Sequence, residues 1–422
     1  IIGYTGKVST DELEELQAQN ANYDMNDTVG KLGIEKSMET QLQGIKGSET
    51  IFVNSVGKVT ETTDYHEPIA GNDVYLTIDK DLQIATYKIL EEELASILVQ
   101  HGQDIQLTID AGLQTALYTQ FQEDKGCSVA MNPYTGEVLA LVSTPSYDTN
   151  AFILGLSGEQ WATWNEDADK PLYNRFRQIW CPGSAFKPVT AAVGLEAGAI
   201  DPEEDYGSEG LRWQKDTSWG SYYVTTLHTY EPVTLENALI YSDNIYFAKA
   251  ALNIGADTLE NSLTKLGFHT ELPFAVKMAE SQYSNAEHIE TEIQLADSGY
   301  GQGQILVNPL HLACIYSAFC NAGNVIKPYL LCQDNTTAEY WISGAFSTET
   351  AGQVLEGMKK VVNDPHGTGY AAHREDIVLA GKTGTAEIKA SKEDTSGTEL
   401  GWFAVFTAEE TMDRPILMIS MV

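Results

Sequence analysis

Strand patterns occur at both ends of residues 127–422, and a long helical stretch separates them. Residues 150–325 have mainly helical apolar spacing. The strand patterns cover residues 127–132, 137–143, 377–389, 401–407 and 415–422. Strands at both ends of a region with helices between them favour one shared sheet. This order predicts an α+β fold, in which one antiparallel sheet is flanked by a helical lobe.

The first hundred residues predict a smaller mixed module. Residues 11–19 and 81–98 have the apolar spacing of helices. Residues 51–59 and 73–78 have strand patterns.

The charge and the cysteines exclude several classes of function. The chain has 25 Lys and Arg against 60 Asp and Glu, which gives a net charge of −35. A nucleic-acid partner requires a basic surface, so we expect none. No run of 18 apolar residues is present that could span a membrane. The cysteines form no Cys-x-x-Cys pair, and we expect mostly buried thiols at Cys127, Cys181, Cys314, Cys320 and Cys332.

Ser184 and Lys187 form a Ser-x-x-Lys motif directly after Pro182 and Gly183. A helix-compatible run follows, so Ser184 should lie in the first turn of a helix with Lys187 on the same face. A serine hydroxyl is a poor nucleophile until a neighbouring base takes its proton, and a neutral lysine can do so. The helix N-terminus adds positive potential for an oxyanion.

The order of the motifs selects Ser184 among three Ser-x-x-Lys candidates. Ser242-Asp243-Asn244 and Lys382-Thr383-Gly384 each occur once and follow Ser184 in that order. Ser262 comes after the Ser-x-Asn motif, and Gly57 interrupts the sheet-like stretch that begins near Ser55. The ordered trio is known from penicillin-binding proteins and class A β-lactamases.

Each motif residue has a chemical task. Ser184 attacks a carbonyl, and Lys187 acts as the base once burial and a nearby cation, Lys382, lower its pKa. Ser242 relays a proton to the leaving amine. Asn244 binds the substrate amide and holds Lys187.

The Lys-Thr-Gly segment suits the carboxylate group of a substrate. Lys382 and the hydroxyls of Thr383 and Thr385 can bind a carboxylate, while Gly384 lets the strand approach the ligand. The backbone N–H groups of Ser184 and Thr385 are the expected oxyanion hole. This chemistry requires no cofactor and no metal.

Several neighbouring residues have two interpretations. Tyr222, Tyr223, Trp213 and Trp219 either line a peptide cleft or pack in the lobe. For Cys181 a packed thiol is favoured over a redox role, and Tyr241 is interpreted as a packing residue.

Residues 101–422 resemble a class B (monofunctional) penicillin-binding protein, a serine D,D-transpeptidase. Besides the trio, the resemblance lies in residues 126–148, Tyr300-Gly301-Gln302-Gly303, 382–387 and 401–406. Residues 1–75 resemble the N-terminal pedestal or dimerisation module of the same proteins. The resemblance implies three parts, which are the pedestal module at 1–75, a linker at 76–103 and the transpeptidase domain at 104–422. It also implies the penicillin-binding transpeptidase and serine β-lactamase-like fold.

The implied function is cross-linking of peptidoglycan stem peptides through a serine acyl-enzyme, which β-lactams also acylate. A D,D-carboxypeptidase, a serine β-lactamase or a β-lactam sensor without turnover are the alternatives. The implied location is the extracytoplasmic face of the cell membrane, with a cell-wall synthesis complex containing a glycosyltransferase as a partner.

The chain departs from the family in three places. The segment Leu76-Thr77-Ile78-Asp79 returns as Leu107-Thr108-Ile109-Asp110, and each copy is interpreted as a short strand followed by a helix. We favour a join of two related segments near Gln100 and His101 over an insertion. The chain also ends within an apolar strand and lacks the family's N-terminal membrane anchor, and both features are interpreted as truncation.

Overall fold

A computed structural model describes residues 3–19, 23–54, 58–77, 79–99, 104–332, 337–388, 398–409 and 413–422. The chain divides into two compact units, Ile1–Gln103 and Asp104–Val422. Within the described residues, none of the helices combines the length and apolar character needed to cross a membrane.

The described residues of the first unit form two small antiparallel pairs of strands and four helices. The strands are β1 Thr5–Lys7, β2 Thr28–Gly30, β3 Ser48–Val53 and β4 Val59–His66, and β1 pairs with β2 and β3 with β4. The helices are α1 Thr10–Gln19, α2 Gly33–Ser37, α3 Glu39–Leu42 and α4 Lys80–Val99. A small core forms around Val8, Tyr23 and Val29.

The helix predictions for this unit are confirmed, but both strand predictions need correction. Residues 51–59 are not one strand, because Asn54 N donates to Lys58 O at 3.0 Å and closes a hairpin between β3 and β4. Residues 73–77 form no strand, and Tyr75 is 90% exposed there. A strand pattern without a partner strand or a buried face does not form a strand. Ile78 lies outside the described residues.

The second unit is built on a five-stranded antiparallel sheet in the order β11-β12-β13-β5-β6. Its strands are β5 Cys127–Met131, β6 Val138–Ser143, β11 Leu379–Ile388, β12 Thr398–Thr407 and β13 Leu417–Met421. Short pairs complete the strands: β7 Arg212–Trp213 with β8 Val224–Thr225, and β9 Val325–Ile326 with β10 Tyr340–Ile342. The sheet predicted from the two ends of this region is confirmed, and β11 forms its edge.

Helices fill the middle of the chain as predicted. They are α5 Ala111–Phe121, α6 Asn150–Leu154, α7 Gly158–Glu166, α8 Lys187–Glu196, α9 Leu235–Ile240, α10 Asn244–Ile254, α11 Ala256–Lys265, α12 Glu292–Ser298, α13 Pro309–Ser317 and α14 Thr348–Asn363. Every residue of α13 is buried, and the Tyr316 ring meets Phe406 of β12 edge to face at 6.4 Å. The core therefore lies between the sheet and the helical lobe.

The duplicated segment is a repeated helix start rather than a repeated strand. Asp79 Oδ1 accepts from Leu82 N at 2.9 Å, and Asp110 Oδ1 accepts from Leu113 N at the same distance. Each aspartate thus satisfies a free N–H in the first turn of its helix. The predicted strands are wrong over the described residues, where only Leu107 forms an isolated bridge, to Leu331. Gln100 and His101 lie outside the described residues, so the join stays a prediction.

Candidate active site

Ser184 lies in a tight turn that leads directly into a helix. Residues Gly183–Phe186 form one 3₁₀ turn and α8 begins at Lys187, close to the predicted helix start. Gly183 has φ +51°, and a Cβ there would lie 2.2 Å from Thr385 O of β11. Only glycine fits this conformation and this close contact. The nucleophile turn is thus packed against the edge strand.

Ser242 lies in a second turn, which has an unusual backbone. Its φ of +56° is in the left-handed region, which non-glycine residues rarely adopt. Asp243 caps α10 by accepting from Ile245 N at 2.8 Å, and its other carboxylate oxygen accepts from the Tyr230 hydroxyl at 2.8 Å. These contacts hold the turn in its strained conformation.

Two fully buried lysines approach the Ser242 hydroxyl. Lys187 Nζ lies 3.1 Å from Ser242 Oγ and also donates to Ser242 O at 2.5 Å and Asn244 Oδ1 at 2.7 Å. Lys382 Nζ lies 2.8 Å from Ser242 Oγ and donates to Thr383 O at 2.9 Å. Asn244 is held in turn, because its Nδ2 donates to Thr225 O at 2.9 Å. All three motifs therefore meet at one hydroxyl.

Burial shifts the acid–base properties of both lysines. It lowers the pKa of Lys382 to about 7. The pKa of Lys187 lies well below its usual value of 10.5, first because of burial and second because of the charge of Lys382, while Asp243 opposes the shift. Desolvation disfavours the ammonium form, so burial favours the neutral amine that can accept a proton.

The Lys-Thr-Gly segment lies on the edge strand β11, where Lys382 pairs with Ala404 and Gly384 with Trp402 of β12. A Cβ on Gly384 would lie 2.8 Å from both Ala185 N and Pro182 O, so the strand could not approach the nucleophile turn this closely with a larger residue. The Thr383 hydroxyl donates to Thr368 Oγ1 at 2.6 Å.

A cleft of about 580 Å³ opens between β11 and the helical lobe. It brings together six of the sequence-predicted site residues, Ser184, Ser242, Asn244, Thr383, Gly384 and Thr385. Lys187 and Lys382 do not line the cleft but reach Ser242 from the buried side.

Seven lining residues were not in the predicted site: Leu227, His228, Tyr241, Tyr300, Gln302, Thr368 and Glu399. The interpretation of Tyr241 as only a packing residue is incomplete, since it stacks on Tyr230 with ring centroids 4.5 Å apart and also lines the cleft. The Tyr300-Gly301-Gln302-Gly303 and Gly367-Thr368-Gly369 patterns were visible in the sequence, but nothing in them indicates which strand or turn they contact.

The other aromatic candidates and Cys181 make packing contacts in the structure. Trp213 and Trp219 meet edge to face at 5.5 Å, and neither they nor Tyr222 and Tyr223 line the cleft described above. Cys181 Sγ contacts Gly301 O at 3.1 Å, and burial raises the pKa of its thiol to about 11. All five cysteines are free.

Comparison with protein families identifies the class to which this fold and site belong. The model of the penicillin binding protein transpeptidase domain matches residues 126–422. The model of the penicillin-binding protein dimerisation domain matches residues 1–76. The chain belongs to the penicillin-binding protein transpeptidase family, with the corresponding fold, as its sequence resemblance indicated.

Individual relatives agree with this assignment. The chain is 37% identical over 423 residues to penicillin-binding protein 3 of Bacillus subtilis, covering 100% of this chain and 57% of the relative. It is 29% identical over 450 residues to the peptidoglycan D,D-transpeptidase MrdA of Haemophilus influenzae, covering 100% of this chain and 64% of the relative. The chain thus spans less than two thirds of the length of either relative.

Solved structures share the fold. Penicillin-binding protein A of Mycobacterium tuberculosis, in a ceftriaxone acyl-enzyme complex, superposes with a TM-score of 0.66 at 26% identity, covering 79% of this chain and 78% of that one. The D,D-transpeptidase domain of an Eggerthella lenta peptidoglycan glycosyltransferase gives 0.63 at 27% identity, covering 76% and 78%.

Proposed function

We propose that this chain is a peptidoglycan D,D-transpeptidase that cross-links stem peptides through an acyl-enzyme at Ser184. The observation that carries the proposal is the meeting of Lys187 and Lys382 at the Ser242 hydroxyl, beside a cleft that Ser184 also lines. The transpeptidase names of the relatives support the same activity.

In the first half-reaction, Ser184 Oγ attacks the carbonyl carbon of the D-Ala-D-Ala bond and its proton passes to neutral Lys187. The tetrahedral intermediate collapses to a serine ester, and the C–N bond to the terminal D-Ala breaks. The departing amine needs a proton, and Ser242, which contacts both lysines, can relay it from Lys187. Atoms and charge then balance, because the proton taken from Ser184 leaves with D-Ala.

Binding groups around the cleft fit the other parts of this substrate. The backbone N–H groups of Ser184 and Thr385 would stabilise the oxyanion. Lys382 would attract the terminal carboxylate, and Thr383 and Thr385 would donate hydroxyls to it. Asn244 would bind the substrate amide and hold Lys187. β-Lactams present a strained amide at the same place and would acylate Ser184.

In the second half-reaction, an amine of a neighbouring stem attacks the ester carbonyl, forms the cross-link and releases Ser184. Attack by water would instead give a D,D-carboxypeptidase or a β-lactamase, and no attack would give a sensor. The substrate implies that the protein works on the extracytoplasmic side of the membrane. A partner within a wall-synthesis complex, such as a glycosyltransferase, belongs to the same proposal, and a solved complex between a Helicobacter pylori penicillin-binding protein and MreC gives a precedent for such partners.

Intact mass with time after addition of a penicillin, followed by peptide mapping, tests the proposal. A single persistent adduct on the Ser184 peptide is expected, and Ser184→Ala should abolish it. Ser262→Ala is the matched control, because Ser262 lies in a second Ser-x-x-Lys motif on α11 and is expected to leave the adduct unchanged. An adduct that clears with drug hydrolysis would indicate a β-lactamase, and no adduct on the folded chain would refute the site. A synthetic donor stem with an acceptor amine then separates transfer from hydrolysis.

A further inference from the structure

Asp297 is a half-buried carboxylate near the cleft that the proposed mechanism does not use. It lies near the end of α12, and its Oδ1 accepts hydrogen bonds from the hydroxyls of both Tyr222 and Tyr300. The two hydroxyl oxygens are 3.3 Å apart. A single carboxylate oxygen therefore joins two tyrosines from separate segments of the lobe.

Tyr300 connects Asp297 to the nucleophile turn. The backbone N–H groups of Tyr300 and Gln302 donate to Asp297 O at 3.2 and 3.0 Å, so the carboxylate residue also closes the turn in which Tyr300 lies. The next residue, Gly301, accepts at its carbonyl from Gly183 N at 2.9 Å. A Cβ on Gly301 would lie only 2.1 Å from Gly183 O, which shows how closely the two turns pack. Movement of this turn would displace the backbone directly before Ser184.

Tyr222 connects Asp297 to the base. It lies three residues before Thr225 of β8, whose carbonyl accepts from Asn244 Nδ2 at 2.9 Å. Asn244 Oδ1 in turn accepts from Lys187 Nζ at 2.7 Å. Movement of the segment that contains Tyr222 would loosen the contact that orients Lys187.

We propose that Asp297 is a positioning residue that holds the Ser184 turn and the Lys187–Asn244 pair in register, through Tyr300 on one side and Tyr222 on the other. The inference rests on the proposed function, because the quantity that Asp297 would control is the rate of acylation at Ser184. Proton transfer from Ser184 to Lys187 depends on their relative placement, and a misplacement of about 1 Å reduces a rate by about 100-fold. Removal of the carboxylate breaks its bonds to both tyrosine hydroxyls at once, while the backbone bonds from Tyr300 and Gln302 to Asp297 O remain.

Saturating acylation by a fluorescent penicillin tests this role, because it separates reversible affinity from the first-order acylation rate. Asp297→Ala should lower the acylation rate by about 10- to 100-fold and change the reversible affinity by less than about threefold. Asp297→Asn keeps an acceptor oxygen for both hydroxyls, so its rate should recover to within about fivefold of the wild type. A role in general stability alone would not give this separation or this rescue.

A double-mutant cycle tests the connection itself. Tyr222→Phe and Tyr300→Phe should each lower the acylation rate of the wild type, but neither should change the rate of the Asp297→Ala variant by more than about twofold. Tyr206→Phe is the matched control, since it removes another half-buried tyrosine hydroxyl of the same lobe, one that is bonded to Asn253, and should acylate at the wild-type rate.

If the wild type is acylated and the Asp297→Ala variant folds and is acylated at the same rate, the positioning role of Asp297 is refuted and the proposed function is not affected. Failure of the wild type to be acylated would instead overturn the proposed function. If Asp297→Ala does not fold, the cycle is run with Tyr222→Phe and Tyr300→Phe in the wild type. If the losses in the free energy of activation for acylation add in the double variant, the connection is refuted. If the double variant loses less than the sum of the two single variants, the connection is supported.

Discussion

The contact between the nucleophile turn and the edge strand makes Gly183→Ala an informative substitution. A Cβ at Gly183 would lie 2.2 Å from Thr385 O, whereas real Cβ contacts are essentially never shorter than 3.0 Å. The added methyl group must therefore push Ser184 and β11 apart. The backbone N–H groups expected to form the oxyanion hole come from Ser184 and Thr385, so the substitution widens the gap across which they act together.

The geometry gives the size of the effect. Relief of the contact requires a displacement of about 1 Å, and a misplacement of that size costs about 100-fold in rate. The left-handed backbone at φ +51° adds about 1–2 kcal/mol of strain for any non-glycine residue. Gly198→Ala separates the two contributions, because Gly198 has φ +63° with no atom within 4 Å of the added Cβ. Both variants carry the backbone strain, and only Gly183→Ala carries the collision.

The assay compares penicillin acylation rates and free energies of unfolding for the two variants. We expect a loss of about 1–2 kcal/mol from the backbone in each variant, and a further loss from the collision in Gly183→Ala alone. Acylation should fall about 100-fold in Gly183→Ala and less than threefold in Gly198→Ala. If Gly183→Ala acylates within threefold of Gly198→Ala, the close packing of turn and strand does not set the reactive geometry, and the reasoning fails.

Three further predictions concern charged and polar groups. Lys187→Arg should abolish acylation in the penicillin assay, since arginine stays protonated. The acylation rate of the wild type should fall as the pH drops below the lowered pKa of Lys187, because the amine then gains a proton. Burial lowers the pKa of His311 from 6.5 to about 4, so as the pH falls the unfolded chain takes up this proton before the folded chain does. The free energy of unfolding should therefore keep its full value above pH 6.5 and decrease by roughly 3 kcal/mol as the pH falls to 4, which denaturant titrations at each pH would measure. Thr368→Val removes the hydroxyl that accepts from Thr383 and should weaken binding of a donor peptide, with a larger effect on KM than on kcat.

The sequence predicted the parts of the structure that have a local pattern. The apolar alternation of β6 and the complete burial of β5 both follow from side chains that must pack against a core. The three motifs were recognisable because Ser-x-x-Lys, Ser-x-Asn and Lys-Thr-Gly are short contiguous patterns that rarely follow one another in this order by chance. In both cases the chemical requirement acts on residues that are adjacent or regularly spaced.

The parts that were missed depend on contacts between distant segments. Thr368 reaches the site because its hydroxyl accepts from Thr383 of β11, and Asp297 accepts from Tyr222, which lies 75 residues earlier in the chain. The hairpin that Asn54 and Lys58 close falls within a predicted strand although Asn54, Ser55 and Gly57 are typical turn residues, because the apolar and β-branched residues on either side outweighed them. A single sequence shows the residue types, but it does not show which distant residues come into contact in the fold.

The Ser-x-Asn motif shows how a residue outside the cleft can still belong to the site. Ser242 must adopt φ +56° to place its hydroxyl between the two lysines, and this conformation is unfavourable for serine. Asp243 does not line the cleft, but it caps α10 through Ile245 N and accepts from Tyr230, so it fixes the backbone on the C-terminal side of Ser242. Tyr230 in turn stacks on Tyr241, which does line the cleft. The residues that hold the strain at Ser242 therefore pack against Tyr241 of the cleft wall, which couples the position of the hydroxyl to the shape of the cleft.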